Sequence, residues 1–289
     1  MAQKYFPEVI DVRELRIAID EAFNWVVINF GEELELAFLP VLKMLLGIQD
    51  FLLWLPWWAF IAAICAAGWF ATRSWRVALA FLVMLFLTGA MGLWEPMMAT
   101  VALMVTATLL AIVIGIPVGI AMSRSNPFQA FMLPILDIMQ TMPIFVYLIP
   151  FVMLFGPGKI PALLATLVFA LPPVIRLTNL GIRHVDPEVM EAVTAFGATP
   201  RQRLFSAQVP LAMPTIMAGI NQTTMLALSM VVIAALIGGG GLGYQVLQGI
   251  QRLEISRGLM AGIAIVFLAI IFDRIAQAYG KRMQQHLNL

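Results

Sequence analysis

Seven apolar runs divide the chain, at about residues 53–72, 77–94, 97–122, 129–155, 160–180, 208–237 and 257–279. Each is long enough, or nearly so, to cross about 30 Å of hydrocarbon. Composition agrees: 62% of residues are hydrophobic and 11% charged, where soluble domains run near about 25% charged. A soluble globular domain is excluded, and the chain reads as an all-α integral membrane protein. The net charge of +1 argues against a nucleic-acid partner, and the single Cys65, inside an apolar run, offers neither a disulfide framework nor a thiolate metal site. No basic segment, apolar core and small-residue cleavage site open the sequence, so no removable signal peptide is expected.

Basic residues in the short loops set the orientation. Arg73 and Arg76, Arg124, the Arg183 to Arg203 group, and Lys281 with Arg282 fall on one side under alternation, and that side is the cytoplasm. An odd number of spans then puts the N-terminus outside and the C-terminus inside. Residues 1–50 form a separate acidic region. Val12, Leu15, Ile19, Phe23, Val26 and Phe30 share one helical face, away from Asp11, Glu14, Asp20 and Glu21, which predicts an amphipathic helix lying along an interface. Leu34 to Leu46, broken by Pro40 and Lys43, is expected as a second interfacial or re-entrant piece. Residues 51–94 then hold two peripheral spans, and 95–289 the core.

Between the fifth and sixth runs lies a long polar interruption, His184 to Pro214. Asp186-Pro187 is a helix start, the carboxylate accepting orphan N–H bonds and the proline pre-set for the first helical position. Glu188 and Glu191 suit the positive end of the helix dipole, and Val189, Ala192, Val193 and Phe196 make an apolar stripe. Gly197 ends the helix in the left-handed conformation. Thr199-Pro200 repeats the start signal before Arg201, Gln202 and Arg203. Glu191-Ala192-Val193, then Gly197, then Val209-Pro210 resemble the EAA loop of permease subunits in binding-protein-dependent ABC importers, with Val193 where that family has alanine. The resemblance implies a MetI-like permease core whose loop docks on a cytoplasmic ATPase. It implies two ATPase copies, an external substrate-binding protein and a second permease copy, in a prokaryotic inner membrane. ATP and Mg would sit on the ATPase, with no cofactor in this chain. The residues alone also allow an amphipathic surface helix joining two spans.

The fourth run carries Asp137 at hydrocarbon depth and the prolines Pro134, Pro143 and Pro150, which free carbonyls that must find partners elsewhere. Asp137 either pairs with Arg176 or a hydroxyl as helix glue or lines the path. Gln140, Thr141, Pro143, Phe145 and Tyr147, with Asn221, Gln222, Thr223 and Thr224 in the sixth run, carry the same two readings. These segments, with Leu236 to Gly243, resemble the permease of glycine betaine and proline betaine importers from about Trp94 onward. The substrate cage of that family belongs to its binding protein, so glycine betaine, proline betaine, choline, carnitine and trimethylamine N-oxide all remain open, as does osmotic regulation.

Two motif matches fail. Gly238, Gly240 and Gly243 satisfy a dinucleotide pattern but follow a membrane helix, and read as a flexible external turn; Gly156 to Lys159 lacks the serine or threonine of a P-loop. With His184 and His286 the only histidines, no metal or nucleophilic set is available, and the chain is not expected to be an enzyme. An ion-coupled secondary transporter is the alternative, and Asp137 alone is thin support for it.

Overall fold

The computed structural model describes residues 12–287, with side chains as far as Gly280. Asp11, and the side chains of Lys281, Arg282 and His286, lie outside the described residues. Twelve α-helices follow in order: α1 Val12–Trp54, α2 Trp57–Thr72, α3 Trp75–Ala90, α4 Trp94–Arg124, α5 Asn126–Thr141, α6 Ile144–Phe155, α7 Lys159–Arg183, α8 Pro187–Ala195, α9 Pro200–Gln202, α10 Val209–Ala234, α11 Gly241–Gln251 and α12 Ile255–Leu287. A π-helical turn, Arg203–Gln208, joins α9 to α10.

The core is built around α7, which lies between α4 and α10. Its buried face runs from Pro161 through Ala165, Ala170, Val174 and Ile175 to Thr178 and Ile182. Small residues let the backbones approach, as membrane helices do where apolar burial offers no driving force. A Cβ on Gly119 of α4 would lie 2.7 Å from the Ile175 carbonyl oxygen. That oxygen is backbone and cannot swing aside.

Five described helices are long and apolar enough to cross a bilayer, and the α5–α6 pair makes a sixth if it counts as one span. The pair is bent by 92°. Pro143 forces Met142 out of the helical region to φ −65°, ψ 131°, so the single run at 129–155 folds as two helices. Helices α2 and α3 have 16 residues each, about 24 Å of rise. Trp57 and Trp58 at one end of this hairpin, with Trp69 and Trp75 at the other, are all more than half exposed, the placement of aromatic belts at two interfaces.

The N-terminal region differs from its expected two pieces. Residues 12–54 form one helix of 43 residues running through Pro40. Pro40 is exposed, and packing of Phe38 and Leu45 on either side of it holds the helix continuous. By length and composition this helix too qualifies as a span. Its second half nevertheless lies across one end of the core. Phe38 meets Phe155, the last residue of α6, edge-on at 5.5 Å. Gln49 accepts from Nζ of Lys159, the first residue of α7, at 2.7 Å. Leu45 is buried with Met97, Met98 and Val101 of the first turns of α4.

Gly119→Val should therefore lower the amount of detergent-stable protein and its melting temperature, the overpacking costing about 1–3 kcal/mol. Gly47→Ala, where a Cβ meets nothing within 4 Å, should leave both unchanged. Equal melting of the two variants would contradict the packing described.

Candidate functional site

The polar interruption folds as two short helical pieces about a glycine. Asp186 Oδ1 accepts from the Glu188 N–H at 2.8 Å and Pro187 opens α8. The helix ends in a Schellman motif: the Gly197 N–H donates to the Thr194 carbonyl at 2.9 Å, and the Ala198 N–H to the Val193 carbonyl at 3.3 Å. Gly197 has φ 78° with open space where a Cβ would stand. Conformation alone, not crowding, requires glycine there. Thr199 and Gln202 then form a reciprocal capping box.

Helix α8 buries no residue. Val189, Ala192 and Phe196 point outward, Phe196 being 92% exposed. Val193 is half-buried and belongs to the inward side, so the apolar stripe is narrower than its spacing predicts. Glu188, Arg201 and Pro210 are exposed as well. Glu191 lines a cleft of about 420 Å³ with Pro187, Met190, Thr194 and Arg203, and Arg203 donates to the Thr194 hydroxyl at 3.2 Å, bracing one piece against the other. Behind the loop, Arg183 donates to the Met122 carbonyl at 2.9 Å and to Asn179 Oδ1 at 3.1 Å. The ends of α4 and α7 are thus tied immediately before the loop starts.

In the broken helix, Asp137 Oδ1 meets Nη2 of Arg176. The pair is open, the side chains being 63% and 31% exposed. Gln140, Thr141 and Pro143 are exposed beside the break, and only Leu136 of α5 is buried. Within this chain α5 therefore lies on an open side. Tyr147 is separated from these groups, buried with Leu148, Ala165 and Met230. Asn221 and Gln222 lie elsewhere again, on a cavity of about 440 Å³ between α10 and α12. There Asn221 donates to Asp273 at 3.2 Å, and Gln277 donates to both Asp273 oxygens at 2.8 and 2.7 Å.

Asp273 escapes the sequence reading. Its signal was an acid inside the last apolar run, masked by the adjacent Arg274. The glycine-rich segment is also not the flexible turn expected. Gly238, Gly240 and Gly241 have φ of 92°, 73° and 69°, the Ile237 carbonyl accepts from the Gly158 N–H at 2.7 Å, and the Leu242 N–H donates to Thr100 Oγ1 at 2.8 Å. It is a packed joint between α4, α7 and α11.

Among the described residues the fold is a helical membrane core with a capped, exposed loop before α10, and comparison with known proteins gives the class and family. The profile described as "Binding-protein-dependent transport system inner membrane component" matches residues 111–285, and the chain belongs to that family. It is a multi-pass inner-membrane permease subunit of the ABC import type, whose members work with an ATPase and a substrate-binding protein. It is 50% identical over 268 residues to the glycine betaine/proline betaine transport system permease protein ProW of Escherichia coli (strain K12), covering 91% of this chain and 74% of that one. It is 44% identical to the glycine betaine transport system permease protein OpuAB of Bacillus subtilis (strain 168), covering 90% and 92%. The fold is shared with the MetNI methionine ABC transporter in an inward-facing form, at TM-score 0.57 and 21% identity over 64% of this chain and 93% of that one.

The polar tie between α10 and α12 has a measurable consequence. Asn221→Leu removes a donor to the Asp273 carboxylate and should destabilise the protein by about 1–2 kcal/mol. Differential scanning fluorimetry in detergent would show this as a lowered melting temperature, with Gln222→Leu, on the exposed side, shifting it less.

Proposed function

We propose that this chain is the membrane subunit of an ATP-driven importer of glycine betaine, proline betaine or a related compatible solute such as choline, carnitine or trimethylamine N-oxide. The likeness to permeases named for these solutes supports the substrate class. The observation that carries the mechanism is Phe196, 92% exposed at the end of a helix that buries nothing. A large aromatic ring so placed on a cytoplasmic loop fits a pocket on a partner, and aromatic anchors dominate such interfaces. Val189 and Ala192 widen the contact, Asp186, Glu188, Glu191 and Arg201 give it a charged rim, and Gly197 fixes the angle to α9 and on to Pro210.

One chain has one such loop, and the resemblance to ABC importer permeases adds a second permease copy, proposed here as a homodimer, on two ATPase copies. ATP and Mg bind the ATPase, and the permease catalyses nothing and needs no cofactor. The path runs between the copies, with Asp137, Gln140, Thr141 and Pro143 on the open side, Asn221 as helix glue, Tyr147 packed in the core, and Gln222 on the cavity between α10 and α12. The N-terminus and residues 1–50 lie outside, 51–94 form a peripheral hairpin, and 95–289 the transport core with its loop at 184–214 inside.

Two measurements test this. Gly197→Val puts a β-branched residue at φ 78°, which costs about 1–2 kcal/mol and re-aims both helical pieces. It should insert normally yet lose co-purification with the ATPase and ligand-stimulated ATP hydrolysis. Glu191→Lys should weaken both more mildly through its reversed charge. Full coupling in Gly197→Val would return the loop to an ordinary surface element. In a Cys65→Ala background, cysteines at Glu21 and Gln248 should react with an impermeant thiol reagent from outside, and one at Gln202 should not; external labelling at Gln202 would overturn the topology.

A further inference from the structure

Two charged side chains stand open on this chain where a bilayer would surround them. Asp137 lies about 16 Å along α5 from its start at Asn126, and Arg176 about 10 Å before the end of α7 at Arg183. Groups at that depth are not left facing lipid. A pair serving only as glue is best buried and bidentate, with its remaining hydrogen-bonding capacity filled. This one uses a single carboxylate oxygen and a single guanidinium nitrogen, is 63% and 31% exposed, and leaves the buried Arg176 Nε without an acceptor. The exposed Gln140 and Thr141 follow it directly, at the 92° break between α5 and α6.

We propose that Asp137 and Arg176 form a binding step for a compact zwitterion. The solute's ammonium end lies against the Asp137 carboxylate and its carboxylate end on the Arg176 guanidinium. A quaternary ammonium has no N–H to donate, so the Asp137 end acts by charge, while the exposed part of the Arg176 guanidinium supplies directed donors. Binding exchanges one internal ion pair for two external ones, with no net charge brought to membrane depth. This is the reason to place a pair there and not a lone acid. A simple cation such as choline would gain from Asp137 but be opposed by Arg176, so this step narrows the proposed solutes to those that carry both charges. The inference rests on the betaine-type reading above and gives it a site within the membrane subunit.

The test uses the whole importer, with permease, ATPase and binding protein reconstituted in vesicles, and glycine betaine as the probe. The double variant Asp137→Asn with Arg176→Gln keeps polar, hydrogen-bonding side chains at both positions but removes both charges. Uptake per ATP hydrolysed should fall about tenfold, the factor that corresponds to about 1.4 kcal/mol of lost binding. An assembled double variant that transports at the wild-type ratio would overturn the proposal. Should the double variant not assemble, Gln140→Cys in a Cys65→Ala background decides. Its modification by a small water-soluble thiol reagent should be slowed severalfold when ATP and loaded binding protein drive glycine betaine through; a cysteine that is unreactive or unprotected overturns the site. Wild-type uptake separates the two readings, since its absence would defeat the substrate class, whereas its presence with an unimpaired double variant defeats the zwitterion step alone.

Discussion

Backbone hydrogen bonding inside a low-dielectric slab is the constraint on which this structure depends. Where no water is at hand, each N–H and C=O must find its partner in the protein, and a chain with so many prolines and glycines within its apolar runs meets that demand in specific places. Beside the Pro172-Pro173 pair of α7, the Thr223 hydroxyl of α10 donates to the Ala170 carbonyl at 2.9 Å. The break after α10 and the start of α7 satisfy each other through Ile237 and Gly158, and the start of α11 is held by Thr100 of α4. Irregular backbone is also left open at the α5–α6 break and in the loop before α10. Both are places where a transport subunit could meet something other than itself.

Legibility in the sequence follows the range of the interactions. The loop about Gly197 was readable because its determinants are local: a capping carboxylate two residues from the amide whose N–H it accepts, a proline beside it, and a glycine immediately after the last stripe residue. The pairing of Asp137 with Arg176 was readable because two isolated charges in apolar runs have few other solutions. What failed was long-range. Pro40 reads as a helix breaker until Leu45 and Phe38 are seen packed against α4 and α6, which hold the helix through it. The glycine-rich joint reads as a flexible turn until Thr100, far away in sequence, is found capping Leu242. Val193 belongs by spacing to the outward stripe of α8, and only the placement of the neighbouring π turn sends it inward.

These differences in packing divide the molecule mechanically. Helices α4, α7 and α10 share small residues, deep burial and cross-helix hydrogen bonds, so they move as one body. Helix α8 has no buried residue, so shifting it breaks little apolar contact. Segments that open and move are drawn from such weakly packed regions. A displacement of α8 passes to the core by three covalent or hydrogen-bonded routes: through His184 into α7, through Arg203 and its bond to Thr194, and through the π turn into α10. The Arg183 tie to Met122 makes α4 follow α7.

Helix α5 is the exception to this rigid set. It is joined to α7 chiefly by the Leu136 cluster and the Asp137–Arg176 pair, and it ends at a proline-enforced bend. A body that rotates on one side of such a bend changes the angle at Met142-Pro143 before it disturbs the well-packed α6, whose Tyr147 and Leu148 are fixed among Ala165 and Met230. If a solute replaces the internal ion pair, it loosens α5 from α7 at the point where the bend needs freedom, and when it leaves, the re-formed pair closes them again. Solute occupancy and helix geometry would then bias one two-state element, linking what passes through the membrane to what the ATPase does at the loop.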